Sequence, residues 1–266
     1  MLAGASFTNG ASDSVYLGKS TTPEGLRLYA IGDIHGCGDL LAAIHRQIAA
    51  DLASRPVPDH RIIHIGDYVD RGPDSAGVIA RLVRHQAENP SMLFLRGNHD
   101  ELLMAFLADP SGSGDMYLSD NIGGPATLRS YGVTPSRSLL GYDYRRLSQR
   151  LAEAMPADHR AFLEALLTTV RFGDYLFVHA GIRPGVPFDR QDPQDLIWIR
   201  DEFLFDGRDH GFVVVHGHTP ANEPEVRPNR INIDTGAVFG GSLTCVVLEG
   251  YEHRFLQAES PGSWIR

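Results

Sequence analysis

The sequence predicts an α/β fold, in which a parallel core sheet packs on a second, more antiparallel sheet, with flanking helices and an inserted helical segment. Three observations carry this reading. Before residue 108, three short apolar runs each end in a polar loop and pass into a stretch with helical spacing. Residues 109–168 break that rhythm. Beyond them, apolar runs return at close intervals, which suits antiparallel neighbours.

Residues 1–25 are rich in Gly, Ser, Thr and Ala, too apolar-poor to fold alone, so a flexible arm is expected, frayed or laid on the surface of one domain spanning 26–266. Leu26 to Ile31 reads as the first strand and runs into Gly32-Asp33-Ile34-His35-Gly36. Residues two apart in extended chain share a side, so Asp33 and His35 can converge. Asp39 then precedes Leu40, Leu41, Ile44, Ile48 and Leu52, the pattern of an amphipathic helix N-capped by Asp39. A second unit has a strand at 61–65, the loop Gly66-Asp67-Tyr68-Val69-Asp70-Arg71-Gly72, and a helix opening at Ser75 with Val78, Ile79, Leu82 and Val83. The third has a strand at 92–95, the loop Arg96-Gly97-Asn98-His99-Asp100, and a helix through Leu102, Leu103, Phe106 and Leu107. Parallel strands joined by such helices place all three loops on one sheet edge.

In the insertion, a Pro-Ser-Gly-Ser-Gly stretch is expected to interrupt regular structure, and helices are expected around Leu147 and Leu151 and, after Pro156, through Phe162, Leu163, Leu166 and Leu167. A lid over the loop edge is the expected role. Surface or packing roles are expected for its Tyr117, Asn121, Arg129 and Tyr131. Strands follow at 175–178, ending in His179-Ala180-Gly181, and at 212–215, ending in His216-Gly217-His218-Thr219-Pro220. Residues 231–233 lead into Asp234-Thr235-Gly236, 243–248 form the next strand, and a last one includes His253 and Phe255. All of these are expected in the second sheet.

The 33 acidic against 24 basic side chains give a formal charge of −9, which argues against nucleic acid or an acidic membrane as partner. Cys37 and Cys245 lie far apart without a Cys-x-x-Cys pattern, so neither a disulfide framework nor a thiolate metal site is indicated. No signal-peptide pattern opens the chain and no run approaches the ~18 apolar residues of a membrane span. A cytoplasmic protein is expected.

Five strand ends terminate in Asp33/His35, Asp67, Asn98, His179 and His218. A lone His at a strand end is usually structural, and a lone Asp beside Gly is usually a turn residue. Five together point to a site. Nitrogen and oxygen donors without thiolate suit Mn²⁺, Fe or Zn²⁺. One ion cannot use every donor, so two divalent ions are expected, with Asp67 as the bridge between Asp33 with His35 and Asn98 with His179 and His218. Such a pair would clamp a phosphoryl group and acidify a shared water for direct in-line attack. Asp70, Arg71, His99 and Asp100 are left to explain. His99 is placed to give a proton to a leaving oxygen, Asp70 to hold its ring, and Arg71 to fork onto phosphate oxygens, with Arg200 a second candidate. Bland alternatives are a salt bridge from Arg71 to Asp70 or Asp74, and a surface Arg200 beside Asp201 and Glu202.

Gly-Asp-x-His-Gly at 32–36, Gly-Asp-x-x-Asp-Arg-Gly at 66–72 and Gly-Asn-His-Asp at 97–100, with the later histidines, resemble the signature of the phosphoprotein phosphatase branch of the calcineurin-like metallophosphoesterases, particularly its bacterial and phage-type members. The resemblance implies a two-sheet metallophosphoesterase sandwich, Mn²⁺ as a common activating ion, one metal on Asp33, His35 and Asp67, and another on Asp67, Asn98, His179 and His218. It implies His99 as general acid oriented by Asp70, and Arg71 and, less firmly aligned, Arg200 as phosphate ligands. Where relatives carry Gly-His-x-His, Pro220 stands in place of the second His, which leaves the first metal with fewer protein ligands. His216 is expected to support a ligand and not to be one. The leading expectation is a phosphomonoesterase of serine/threonine protein phosphatase character acting on phosphorylated protein or a small phosphoester. The alternatives are a dinucleoside polyphosphate hydrolase and, from another class, a module that binds a phosphorylated ligand without turnover.

Overall fold

All six residues of β1 (Leu26–Ile31) are buried, so the strand needs partners on both edges and cover on both faces. A computed structural model, describing residues 17–138 and 141–259, shows what supplies them. β1 leads to α1 (Gly38–Ser54), β2 (Asp59–His64), α2 (Ser75–Glu88), β3 (Met92–Phe94) and α3 (Asn98–Ala108). β1, β2 and β3 pair in parallel, as the βα pattern predicts. The caps differ from expectation. Cys37 occupies the N-cap of α1 and Asp39 lies in its first turn, where it meets the helix dipole without capping it. α3 begins at Asn98, so Asn98, His99 and Asp100 stand on a helical turn and not in a loop.

The insertion is more helical than its Gly and Ser content suggests. Asp109 caps α4 (Pro110–Tyr117) by accepting from the Gly112 N–H, with Pro110 in the first turn, so the stretch expected to break structure starts a helix. Next come α5 (Gly124–Ser130), a small ladder of β4 (Arg137–Ser138) and β5 (Gly141–Tyr142), α6 (Tyr144–Ala154) and α7 (Ala157–Glu164). The chain continues through β6 (Thr169–Phe172), β7 (Tyr175–Val178), α8 (Pro193–Trp198), α9 (Asp201–Leu204), β8 (Val213–His216), β9 (Glu225–Val226), β10 (Arg230–Asn232), β11 (Ser242–Glu249) and β12 (Glu252–Glu259).

Among the described residues two five-stranded sheets result, ordered β12-β11-β1-β2-β3 and β6-β7-β8-β10-β9. Both are mixed. β11 and β12, expected in the second sheet, instead extend the first: β11 pairs with β1, with Ala30 opposite Val246, and β12 pairs with β11 outside it. A hairpin's own pairing is local, but the edge it joins is a long-range choice that sequence spacing does not encode. β1 alternates accordingly: Tyr29 and Ile31 face α1 and α2, while Leu28 and Ala30 meet Phe177, Val213 and Ile231 of the second sheet. A further layer packs Val178 and Val214 against Leu196 and Phe203 of α8 and α9.

Residues 1–16 of the expected arm lie outside the described residues. Residues 17–25 are tied down: the Leu17 N–H donates to the Pro228 carbonyl, Thr21 to Asp174, and Thr22 exchanges bonds with Leu26 and Gly250. No helix among the described residues is long and apolar enough to cross a membrane. Cys37 and Cys245 are buried and unpaired.

Behind the first sheet, three imidazoles meet. His45 Nε2 lies 3.0 Å from His64 Nε2, and the His45 and His85 rings are 4.8 Å apart. Burial, with His85 and Arg81 adding, pushes His45 from 6.5 down to about 3, and burial holds His64 well below its usual range. Between pH 6.5 and about 3 the unfolded chain binds protons that the folded chain refuses. Stability of the metal-free protein is therefore expected to be full above that window and to fall as pH descends through it. His45→Gln should flatten the fall by up to about 1.4 kcal/mol per pH unit. Urea unfolding with chelator at several pH values tests this, and parallel slopes in the two proteins count against it.

Candidate metal centre

The loops after β1 and β2 are zipped together by their backbones. Ile34 and His35 donate to the Asp67 carbonyl at 3.1 and 2.8 Å, and Gly36 to that of Tyr68 at 3.0 Å. Asp100, left unexplained by the motifs, fastens the third loop: its carboxylate accepts from the N–H groups of Asp67, Tyr68 and Gly97 at 2.9, 3.0 and 2.9 Å. Gly66, at φ +108°, is required by this closeness, since a Cβ there would stand 2.5 Å from Gly97 N. Among the described residues, the non-glycine positions with positive φ are His35, Asp67, Asp70, Arg71 and His218. All belong to the predicted site, where strained backbone is held by the surrounding structure.

Asp67 is central. Its Oδ2 lies 3.4 Å from His35 Nε2 and 4.0 Å from His99 Nε2, and its Oδ1 lies 3.4 Å from His179 Nε2. Asn98 Oδ1 is 3.0 Å from His179 Nε2 and 2.9 Å from His218 Nδ1. Two groups of His and Asp therefore share Asp67: one with His35 and His99, one with His179 and His218. The rings are oriented from behind. His35 Nδ1 lies 2.7 Å from the Val69 carbonyl and His179 Nδ1 3.0 Å from that of Ile65, which assigns the proton to Nδ1 and leaves Nε2 a lone pair toward the centre.

The donor set fits divalent cations. His179 Nε2, Asn98 Oδ1 and Asp67 Oδ1 are acceptors facing one another, and His218 Nε2 is buried with no hydrogen-bond partner among the described residues. Burial keeps the imidazoles neutral, as ligands must be: His35 lies well below its ordinary value, His179 is lowered, and His218 is pushed down to about 2. Burial opposes ionisation of Asp67, but His179, His99, His35 and His218 together hold it below the usual carboxylate range. Asp33 goes the other way, raised by burial and by the neighbouring Asp234 and Asp67. A cation beside Asp33 would relieve that cost.

Most predicted residues converge. Asp33 lies with them electrostatically but outside both groups, its carboxylate accepting the His218 N–H at 3.1 Å. His99 Nδ1 is 2.8 Å from Asp70 Oδ2, and both are buried. Arg71 makes neither alternative ion pair. Asp70 is taken by His99, Tyr117 and Thr127, Asp74 caps α2, and Arg71 Nη1 donates to His35 Nε2 at 2.7 Å. Arg200 is exposed, donates to Thr219 Oγ1 at 3.2 Å, and lowers His179 and His218 by its charge. His216 lies close enough to the candidate ligand His179 to interact with it electrostatically. The positive φ at His218 breaks the extended pattern, and His216 packs on Phe203 beside Arg230.

The place of three residues at the site was not read from the sequence. Thr127 Oγ1 and Tyr117 OH donate to Asp70 Oδ1 at 2.7 and 3.0 Å, bringing the insertion into the site; no local pattern marks them. Asp234 is buried, interacts electrostatically with Asp33 and Asp67, and is pushed up to about 6 by burial first. Its signal was present, because Ile233-Asp234 repeats the strand-end Asp of Gly32-Asp33 and Gly66-Asp67.

Similarity to known proteins agrees with this geometry. The chain is 27% identical over 241 residues to an asymmetrical bis(5'-nucleosyl)-tetraphosphatase, PrpE, of Halalkalibacterium halodurans, covering 87% of this chain and 94% of that protein. It is 30% identical over 225 residues to serine/threonine-protein phosphatase 1 of Salmonella typhimurium, covering 82% and 89%. A solved structure of a provisionally assigned diadenosine tetraphosphatase superposes with a TM-score of 0.60 at 22% identity, over 91% of this chain and 100% of that one. Residues 26–241, which hold every candidate ligand, match the calcineurin-like phosphoesterase family profile, and the chain belongs to that family.

Proposed function

We propose that this protein hydrolyses dinucleoside polyphosphates at a two-metal centre, with His99 as general acid. The observation that carries the hydrolase reading is the buried His99–Asp70 pair, 2.8 Å apart, beside the carboxylate shared by both His/Asp groups. A module that only held phosphate would have no use for it. The substrate class is supported by the relatives named as bis(5'-nucleosyl)-tetraphosphatases, which match over most of their length. The Salmonella relative supports the second reading, a serine/threonine protein phosphatase.

Asp33, His35 and Asp67 would hold one ion, and Asp67, Asn98, His179 and His218 the other, with Mn²⁺ the favoured metal and Fe or Zn²⁺ the ones to compare. When bound, such ions lower the pKa of water and neutralise phosphate charge. The residues supply the rest. Arg71 and Arg200 offer forks to non-bridging phosphate oxygens. Water oxygen bonds to phosphorus as the P–O bond to the leaving group breaks; the leaving oxygen takes its proton from His99 Nε2, and water gives one to solvent. Asp70 holds His99 Nδ1, and its other oxygen is occupied by Tyr117 and Thr127, so the ring cannot turn away. The buried, unpaired cysteines suit a reducing cytoplasm.

A panel of diadenosine tetraphosphate, a phosphoserine peptide and phenyl phosphate, run with Mn²⁺, Zn²⁺, Fe²⁺ and Mg²⁺, tests this. Mn²⁺-dependent cleavage of the dinucleotide at the highest kcat/KM is expected. Turnover of the peptide with an inert dinucleotide would establish the second reading instead.

A further inference from the structure

We infer that Phe239 and Arg129 form a subsite for the leaving nucleotide, an assignment that rests on the dinucleoside polyphosphate reading above. Arg71 is the link. Its Nη1 reaches His35 Nε2 at 2.7 Å, and its guanidinium carbon lies 5.4 Å from the centre of the Phe239 ring. One side chain therefore touches both the candidate metal centre and an aromatic ring outside it.

That ring borders a cavity of about 520 Å³ between the insertion and the turn Ala237–Phe239, within the size range of small-ligand sites. Arg71, Arg129, Asn121, Asp120 and Tyr142 also line it, and Arg71 and Arg129 line a second cavity of about 370 Å³ alongside. Phe239 is 46% exposed, unusual for a phenylalanine whose neighbours on the same turn, Ala237 and Val238, are buried. An exposed ring with one guanidinium over it and a second lining the same cavity is the chemistry that receives a nucleobase face and the phosphates attached to it. A phosphate cleaved at the centre would leave further negative charge beside Arg71 and toward Arg129. A phosphoserine peptide carries no such charge next to its phosphate, and so does not call for the second arginine. Asp120 repels phosphate, which assigns the phosphates to the arginine side and leaves the carboxylate to accept from a base amine.

Steady-state kinetics of the full-length Mn²⁺-loaded protein on diadenosine tetraphosphate and phenyl phosphate test the subsite. Phe239→Ala and Arg129→Ala should each lower the ratio of kcat/KM for the dinucleotide to that for phenyl phosphate by about tenfold or more, mainly through KM. Phe239→Trp should keep the ratio near wild type, because a larger ring stacks as well. A ratio unchanged in both alanine variants, with wild type still cleaving the dinucleotide, overturns the subsite alone. Wild-type turnover of phenyl phosphate with no cleavage of the dinucleotide overturns the substrate reading, and the subsite with it.

Discussion

Asp67→Asn is expected to remove nearly all activity, by about 10³-fold or more, and to release metal from both positions. Neighbours that only orient a ligand cost about 10–100-fold when changed, and Asp67 is shared by both groups of candidate ligands. The substitution also removes the charge that faces His35, His99 and His179 at 3.4, 4.0 and 3.4 Å. Asn preserves shape, and the backbone bonds from His35 and Ile34 to the Asp67 carbonyl survive, so the fold is retained. Metal analysis of gel-filtered protein decides the matter. Two ions still bound to Asp67→Asn would refute the bridging role.

His99→Ala should lower kcat by about 10²–10⁴-fold while sparing metal content. His99 Nε2 sits 4.0 Å from Asp67 Oδ2, and the His35 and His99 rings meet edge to face at 4.6 Å, so a ligand role is the competing explanation. The two roles separate by leaving group. A proton donor matters more as the leaving oxygen becomes more basic, so the loss should be larger for phenyl phosphate than for 4-nitrophenyl phosphate. An equal loss on both substrates, accompanied by a missing ion, would make His99 a ligand. Asp70→Asn should follow the same leaving-group trend with a smaller loss, because the ring remains but loses its charged partner.

The βα half was readable because its signals are local. Leu26–Ile31 and the runs at 61–65 and 92–95 are mostly apolar and end at Gly or one residue short of it, and the helices after them carry apolar residues at helical spacing. Chemistry-bearing residues at those ends land together because parallel strands share a carboxyl edge. The hairpin of β11 and β12 was misplaced because nothing within it specifies the edge of β1. α4 was missed because Asp109 and Pro110, a cap and a first-turn proline, outweigh the Gly and Ser behind them. Thr127 and Tyr117 reach Asp70 across 57 and 47 residues of sequence, a contact only folding creates.

The shared carboxylate has one more consequence. Asp67 follows a strand of the first sheet, while His179 and His218 follow strands of the second. A cation held by these three would fasten one sheet to the other, in a chain whose two thiols are buried and unpaired. The folded chain presents these ligands together and the unfolded chain does not, so the binding free energy of such an ion would add directly to the stability of the fold. An ion placed there for catalysis would then also staple the sandwich, and chelation would be expected to loosen the seam between the sheets as well as silence the site.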